Sequence, residues 1–204
     1  MDIEFSAQKY TKTSCNLLAY PVFEDEPDTS TMLRALDKLT GSVVSSLRSS
    51  GEFKPKLHNT CLIHRPAGLK AERLLLLGAG KQSEFNLSRL RELAGTAVRA
   101  AKSAACKDAA LVARSDARLS HVAQVCTEGS LYGNYDGDLY KTREKESREL
   151  DRFILIDEPG RPASEIRDGI RRGTIIGNAT NLARTLANEP SNIITPTTLA
   201  EKAT

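Results

Sequence analysis

Apolar positions along this chain recur first at two-residue steps and then at three- and four-residue steps, and the switching between those periods predicts its elements. Residues Ile3 to Tyr10 alternate apolar and polar, and Asn16 to Val22 form a short apolar run, so both predict strands. An acidic, proline-containing loop spans Glu24 to Asp28. From Ser30 to Leu47, residues Met32, Leu33, Leu36, Leu39, Val43, Val44 and Leu47 keep helical spacing, with Gly41 placed to split the run into two helices. His58 to His64 and Arg73 to Leu77 turn β-like again. The second carries four successive leucines, the continuous apolar run of a strand covered on both faces. Beyond the tight turn Gly78-Ala79-Gly80, residues Leu87, Leu90, Leu93, Ala94, Ala97, Val98 and Ala101 lay one stripe along a helix that Asn86 can cap. Asp108 to Ala113 predicts a strand, and Leu119 to Leu131 a helix with Val122, Val125, Cys126 and Gly129 inward. Tyr132 to Tyr140 reads as a loop, Lys141 to Arg152 as a solvated connector of alternating charge, and Phe153 to Ile156 as a last buried strand ended by Glu158-Pro159-Gly160.

Ile166, Ile170, Ile176, Leu182 and Leu186 mark a long helix starting near Pro162. Pro190 pushes Glu189 out of the helical region, so this helix stops near Asn188, a residue that tolerates the left-handed conformation of a helix end. Pro196 suits the first turn of a further helix, which Thr195 can cap. Strands alternating with helices imply an α/β fold with a mainly parallel sheet between helices, because parallel neighbours need a crossover. The expected division is a first domain over 1–158, with the linking helix and the start of a further unit over 159–204.

With 204 residues the chain can bury roughly 70% of its unfolded surface and fold alone. A net charge of +3 with both signs interspersed gives no composition-level case for nucleic acid. No apolar run approaches a membrane span, and Met1-Asp2-Ile3-Glu4 is unlike a secretion signal, so a cytoplasmic location is expected. Cys15, Cys61, Cys106 and Cys126 lie far apart with no paired spacing, as small buried apolar residues in a reducing compartment would.

Candidate chemistry is sparse. Gly78-Ala79-Gly80-Lys81 follows a buried strand and precedes a helix, but a Walker loop needs glycine where Leu75 stands and Ser or Thr where Gln82 stands, and a dinucleotide fingerprint needs glycine at Ser83. A plain βα turn reads the same residues. His58, Cys61 and His64 look like a ligand cluster, yet on a strand 58 and 64 face one way and 61 the other. His121 stands alone. Asp136 and Asp138, flanked by Tyr132, Tyr135 and Tyr140, lack the further acidic positions of a calcium loop. No Gly-x-Ser-x-Gly elbow or His-Glu-x-x-His helix occurs, and no complete catalytic site assembles.

Arg184, Leu186, Asn188, Pro190, Asn192, Thr195, Pro196, Leu199 and Ala200 together resemble the segment joining the two domains of the leucyl (cytosol) aminopeptidase family. Leu74 to Lys81 is similar to that family's glycine-lysine turn, and Glu128 to Tyr135 with Asp138, Tyr140 and Lys141 to the last helix and adjoining loop of its N-terminal domain. The resemblance implies a macro-domain-like N-terminal domain with a mostly parallel or mixed sheet flanked by helices, then a long C-terminal linking helix and the first turn of a metallopeptidase domain. It further implies hexamers acting on peptides, with two divalent metals, zinc or manganese, activating water against an N-terminal peptide bond. The family's metal-ligand and catalytic motifs, such as Asn-Thr-Asp-Ala-Glu-Gly-Arg, occur nowhere here, so no catalytic, cofactor or metal residue is carried over. The chain reads as a truncated, inactive piece of such an enzyme. Two alternatives accompany that reading: an ADP-ribose or nucleotide-binding macro-type module using Gly78 to Gly80, and a DNA-binding appendage using Arg167, Arg171 and Arg172, which Glu165 and Asp168 accompany.

Overall fold

The computed structural model of the chain describes residues 1–137, 149–157 and 165–203. Among the described residues six strands form one sheet: β1 (Asp2–Ser6), β2 (Leu17–Val22), β3 (Thr60–His64), β4 (Arg73–Gly78), β5 (Asp108–Ala113) and β6 (Arg152–Asp157). Their order is β1-β6-β5-β2-β4-β3, and every neighbouring pair is parallel except β3 with β4. The antiparallel edge makes the sheet mixed.

Period two along each strand decides which side chains meet which layer. Leu74 and Leu76 join Leu18, Tyr20, Ala110 and Ile154 on the face covered by α1 (Thr31–Leu39) and α2 (Val43–Ser49). Leu75 and Leu77 join Leu17, Ala109, Leu111 and Phe153 on the opposite face. There α3 (Leu87–Ser103), α4 (Leu119–Asn134) and the first turn of α5 (Ile166–Asn188) pack. A short α6 (Pro196–Ala203) comes last.

Local grammar accounts for most boundaries. Asn86 caps α3 by accepting the amide of Arg89 at 3.1 Å. Gly41 separates α1 from α2 at φ 68°, a conformation that costs glycine nothing. α5 ends at Asn188 as expected but without a left-handed residue, because Glu189, extended at φ −69° and ψ 136° ahead of Pro190, closes it. Thr195 caps α6 by accepting the amide of Thr198 at 3.3 Å.

Three expectations need correction. β1 stops at Ser6, whose hydroxyl accepts the amide of Gln8 at 3.2 Å, and Tyr10 instead turns in edge-on to Tyr20 with ring centroids 5.4 Å apart. β3 begins at Thr60, since His58 is left-handed at φ 68° and cannot continue a strand. α4 runs through Tyr132 to Asn134, whose carbonyl accepts Lys102 Nζ at 2.9 Å. Asp138, Tyr140, Lys141, the Glu158-Pro159-Gly160 turn, Pro162 and the expected boundary at 158 lie outside the described residues.

The three helices of one face approach one another through glycine. A Cβ on Gly129 of α4 would run into the Arg91 carbonyl of α3, and one on Gly173 of α5 into the Gln124 carbonyl and the Thr127 side chain of α4. Backbone therefore lies against backbone, and α5 is zipped along α4.

Candidate functional site

In a sheet whose connections turn to both faces, ligands bind beyond the carboxyl ends of the strands where the winding reverses. Here that point is β2, which the chain leaves toward α1, whereas β4 and β5 lead to α3 and α4 on the other face. A cleft of about 520 Å³ opens there, lined among others by Phe23, Phe85, Asn86, Arg114, Ser115 and Asp116.

The cleft exists because two strands part. β2 and β5 are in register only over Leu17–Ala19 and Ala109–Leu111. Pro21, two residues on, has no N–H to extend a ladder. Arg114, the first residue after β5, turns across the gap and donates from Nη1 to the Pro21 carbonyl at 2.8 Å. Its two terminal nitrogens also grip both Glu26 carboxylate oxygens at 2.7 Å, and its guanidinium lies 5.4 Å from the Tyr20 ring centroid and 5.0 Å from that of Phe23. Glu26 accepts in addition from the Ser30 hydroxyl at 2.7 Å and the Phe23 amide at 3.4 Å. The side chains of Arg114 and Glu26 are 9% and 5% exposed. Burial pushes the Glu26 carboxyl up, but hydrogen bonds from Arg114 and Ser30 and the Arg114 charge outweigh it, so its pKa lies below the ordinary value. The guanidinium that a phosphate would seek is held by the chain's own carboxylate.

The glycine turn is committed in the same way. Gly78 donates its amide to Asn59, Ala79 to Val22 and Gly80 to Pro55, at 2.7, 2.9 and 3.1 Å. Gln82 donates to the Asp25 carboxylate at 2.9 Å. A phosphate at this turn would compete with bonds already made, which favours the plain βα-turn reading.

The other sequence candidates stay apart. His58 Nε2 lies 3.0 Å from Glu92, Cys61 is half-buried on β3, and His64 ends that strand opposite Arg73. His121 is exposed on α4. Among the described residues no group of three His, Cys, Asp or Glu side chains could hold a metal ion. Burial pushes the Cys15 thiol up to about 12 and raises Cys126 as well, so neither is a ready nucleophile. Arg167, Arg171 and Arg172 are exposed, and Asp168 stands among them, 3.6 Å from Arg171. No helix among the described residues is long and apolar enough to cross a membrane.

The residues that do converge join α4 to α5. Asn181 Nδ2 donates to the Leu131 carbonyl at 3.0 Å, which also accepts the Tyr135 amide at 3.2 Å, and Arg184 donates to the Tyr132 carbonyl at 3.3 Å in the last turn of α4. The Arg184 guanidinium stacks 4.0 Å from the Tyr135 ring centroid, and the Tyr135 hydroxyl accepts Asn188 Nδ2 at 3.1 Å. Arg184 and Asn188 are among the residues whose string carries the family resemblance, and their geometry gives that string a purpose: it fixes the line along which α5 leaves the sheet. Sequence reading missed the Arg114–Glu26 pair. Its one available signal was a proline inside an apolar strand pattern.

The N-terminal domain model of the cytosol aminopeptidase family matches residues 20–144. A probable cytosol aminopeptidase of Acidobacterium capsulatum is 37% identical over 169 residues, covering 82% of this chain and 33% of that protein. One from Solibacter usitatus is 34% identical over 203 residues, covering 100% and 39%. The fold matches a mutant of tomato leucine aminopeptidase with a TM-score of 0.85 at 21% identity, over 100% of this chain and 41% of that one. A bottromycin maturation enzyme in complex with Mn matches with a TM-score of 0.66 at 20% identity, over 93% and 35%. The chain thus spans about two fifths or less of the length of these relatives.

Proposed function

This chain belongs to the cytosol aminopeptidase family and carries its N-terminal domain, and from that premise we propose that it is the non-catalytic scaffold of a cytoplasmic enzyme that releases amino acids from the N-termini of peptides. The division at 158, with residues 159–204 leading into a metallopeptidase domain, belongs to the same proposal, as does hexameric assembly. The observation that carries the proposal is the 203-residue match to the Solibacter usitatus protein, which takes in the whole chain, α5 and α6 included.

Two divalent metals, zinc or manganese, would supply Lewis-acid polarisation of the scissile carbonyl and a water made acidic enough to attack it. The described residues do not fit such a centre, since they bring no three metal-ligating side chains together. The ligands are therefore assigned to the part of the relatives outside the matched span. What these residues contribute is a sheet, a zipped helix layer and an α5 whose direction Arg184, Asn188 and Tyr135 hold.

The test is hydrolysis of a leucyl amide by the purified 204-residue chain, and by the polypeptide translated from the uncut gene, each with added Zn²⁺ or Mn²⁺. Turnover by the longer polypeptide and none by the 204 residues is expected. Turnover by the 204-residue chain alone would overturn the scaffold assignment.

A further inference from the structure

The cleft beyond the carboxyl ends of β2 and β5 is of ligand size, and the scaffold role gives it no task. Apolar side chains from four places form its walls: Phe23 just past β2, Met32 in the first turn of α1, Phe85 and Leu87 where the chain enters α3, and Ala113 at the end of β5. Phe23 and Phe85 meet edge to face, with ring centroids 5.0 Å apart. Phe23 is buried, whereas Phe85 is half-buried and borders the opening. An aromatic ring at the edge of an apolar recess offers area to an apolar body and its face to a cation.

Charge decides what kind of body fits. Among the described residues two charged side chains line the cleft, Arg114 and Asp116. Arg114 is cancelled by Glu26, and its neighbours beyond the rim are spent as well, Arg89 on Glu84 at 2.7 Å and Arg118 on Glu165 at 2.9 Å. The uncharged polar groups are committed too: Asn86 accepts the Arg89 amide and donates to the Glu84 carbonyl, and Ser115 accepts the Ala117 amide at 3.3 Å. Asp116 differs. It is exposed on the loop between β5 and α4, and among the described residues no hydrogen bond or ion pair holds its carboxylate. The helix starts near the cleft carry about half a positive charge each, and Ser30 and Asn86 already occupy one donor of α1 and of α3. A whole negative charge therefore sets the sign at the rim, the inverse of a phosphate site. We infer that this cleft binds a small amphiphilic amine, with its ammonium on Asp116 and its apolar body against Phe85 and Met32. The N-terminus of a peptide that begins with an apolar residue has this chemistry. The site is built from residues 23–117 alone, so its occupancy does not depend on the scaffold reading.

The test titrates the 204-residue chain at pH 7 with phenethylamine, which has no peptide bond to cleave, and follows backbone amide shifts by NMR. N-acetylphenethylamine, the same body without the charge, and AMP, a phosphate on an aromatic body, are titrated alongside. Phenethylamine at millimolar concentrations is expected to move the amides of residues 85–87 and 113–117 and to leave those of α2, across the sheet, in place. The acetylated compound and AMP are each expected to bind about tenfold more weakly or worse, the worth of one charge-assisted contact. Asp116→Asn, at an exposed position, is expected to weaken phenethylamine by about the same factor, and Phe85→Leu, which keeps an apolar wall but loses the ring face, by about threefold. Absence of shifts in the cleft, equal binding of the acetylated compound, or an Asp116→Asn chain with unchanged affinity would overturn the assignment. Tighter binding of AMP would overturn it too, and give the cleft to anions. None of these results bears on peptidase activity, so the scaffold reading stands or falls separately.

Discussion

Arg114 and Glu26, 88 residues apart in sequence, meet fork to fork, with both nitrogen–oxygen distances 2.7 Å. The pair is charge-assisted and bidentate, and it bridges β5 to β2 just past the point where their ladder ends. A buried pair of this kind is costly to break from one side, because the survivor keeps its charge and loses its partner. Glu26→Ala or Arg114→Ala is expected to lower the unfolding free energy by about 3–5 kcal/mol, and the double substitution by clearly less than the sum. Urea denaturation of the four proteins gives the cycle. Single losses below about 1 kcal/mol, the range of exposed pairs, would show that the contact is solvated in solution.

The same carboxylate sets a pH dependence. Its folded pKa lies below the ordinary 4.5, so its contribution is complete above that value and is lost as pH falls through the lower, folded one. Stability measured between pH 7 and pH 3 is expected to fall on the acid side of 4.5 in the native chain, and less steeply in Glu26→Gln. Superimposable profiles would remove Glu26 from the account.

Gly129 and Gly41 are needed for different reasons, and substitutions separate them. At Gly129 a Cβ meets the Arg91 carbonyl, so Gly129→Ala forces α3 and α4 apart and costs about 1–3 kcal/mol. At Gly41 nothing lies within 4 Å of an added Cβ, but φ is +68°, so alanine costs about 1–2 kcal/mol of backbone strain. Asparagine, which tolerates that conformation, restores most of the loss at 41 and deepens it at 129. Thermal unfolding of the four variants shows whether the two positions part in this way.

Arg184→Ala removes the stack on Tyr135 and the donor to the Tyr132 carbonyl at an exposed helix end. A cation over an exposed ring is worth about 0.5–1 kcal/mol, so the global midpoint moves little. Hydrogen exchange of amides 181–188 is expected to quicken while that of α3 does not. A uniform change across both helices would mean that the contact supports the whole core.

Thiol accessibility tracks burial. Cys15, Cys106 and Cys126 are buried and Cys61 is half-buried on the edge strand; desolvation raises the pKa of all four, so exposure and not acidity sets Cys61 apart. A chromogenic disulfide at pH 8 is expected to titrate Cys61 alone in the folded chain and all four thiols in denaturant. Rapid reaction of a second native thiol would contradict the packing around it.

Much of the fold was readable because its signals are local. The leucine run at Leu74 to Leu77, the asparagine cap at Asn86 and the Pro190 and Pro196 punctuation each act within a few residues, and each is found where expected. The failures came where distant partners decide. Tyr10 leaves its strand pattern for Tyr20, and His58 breaks its own by going left-handed, where its ring meets Glu92. The cleft was invisible for the same reason: nothing near Arg114 announces Glu26. Arg184 and Asn188 were singled out as a string, but only the fold shows that they hold Tyr135.

α5 spans 23 residues, which at 1.5 Å per residue makes a rod of about 35 Å. Glycine contacts hold its first half against α4, and Asn181, Arg184 and Asn188 hold its end, so the rod and α4 move as one piece; a tilt of about five degrees at Gly173 would carry the tip at Asn188, about 22 Å on, by roughly 2 Å. A single methyl group inserted between α4 and α5 at Gly173 thus redirects the end of the rod, and the chain that leaves it at Pro190, without touching either.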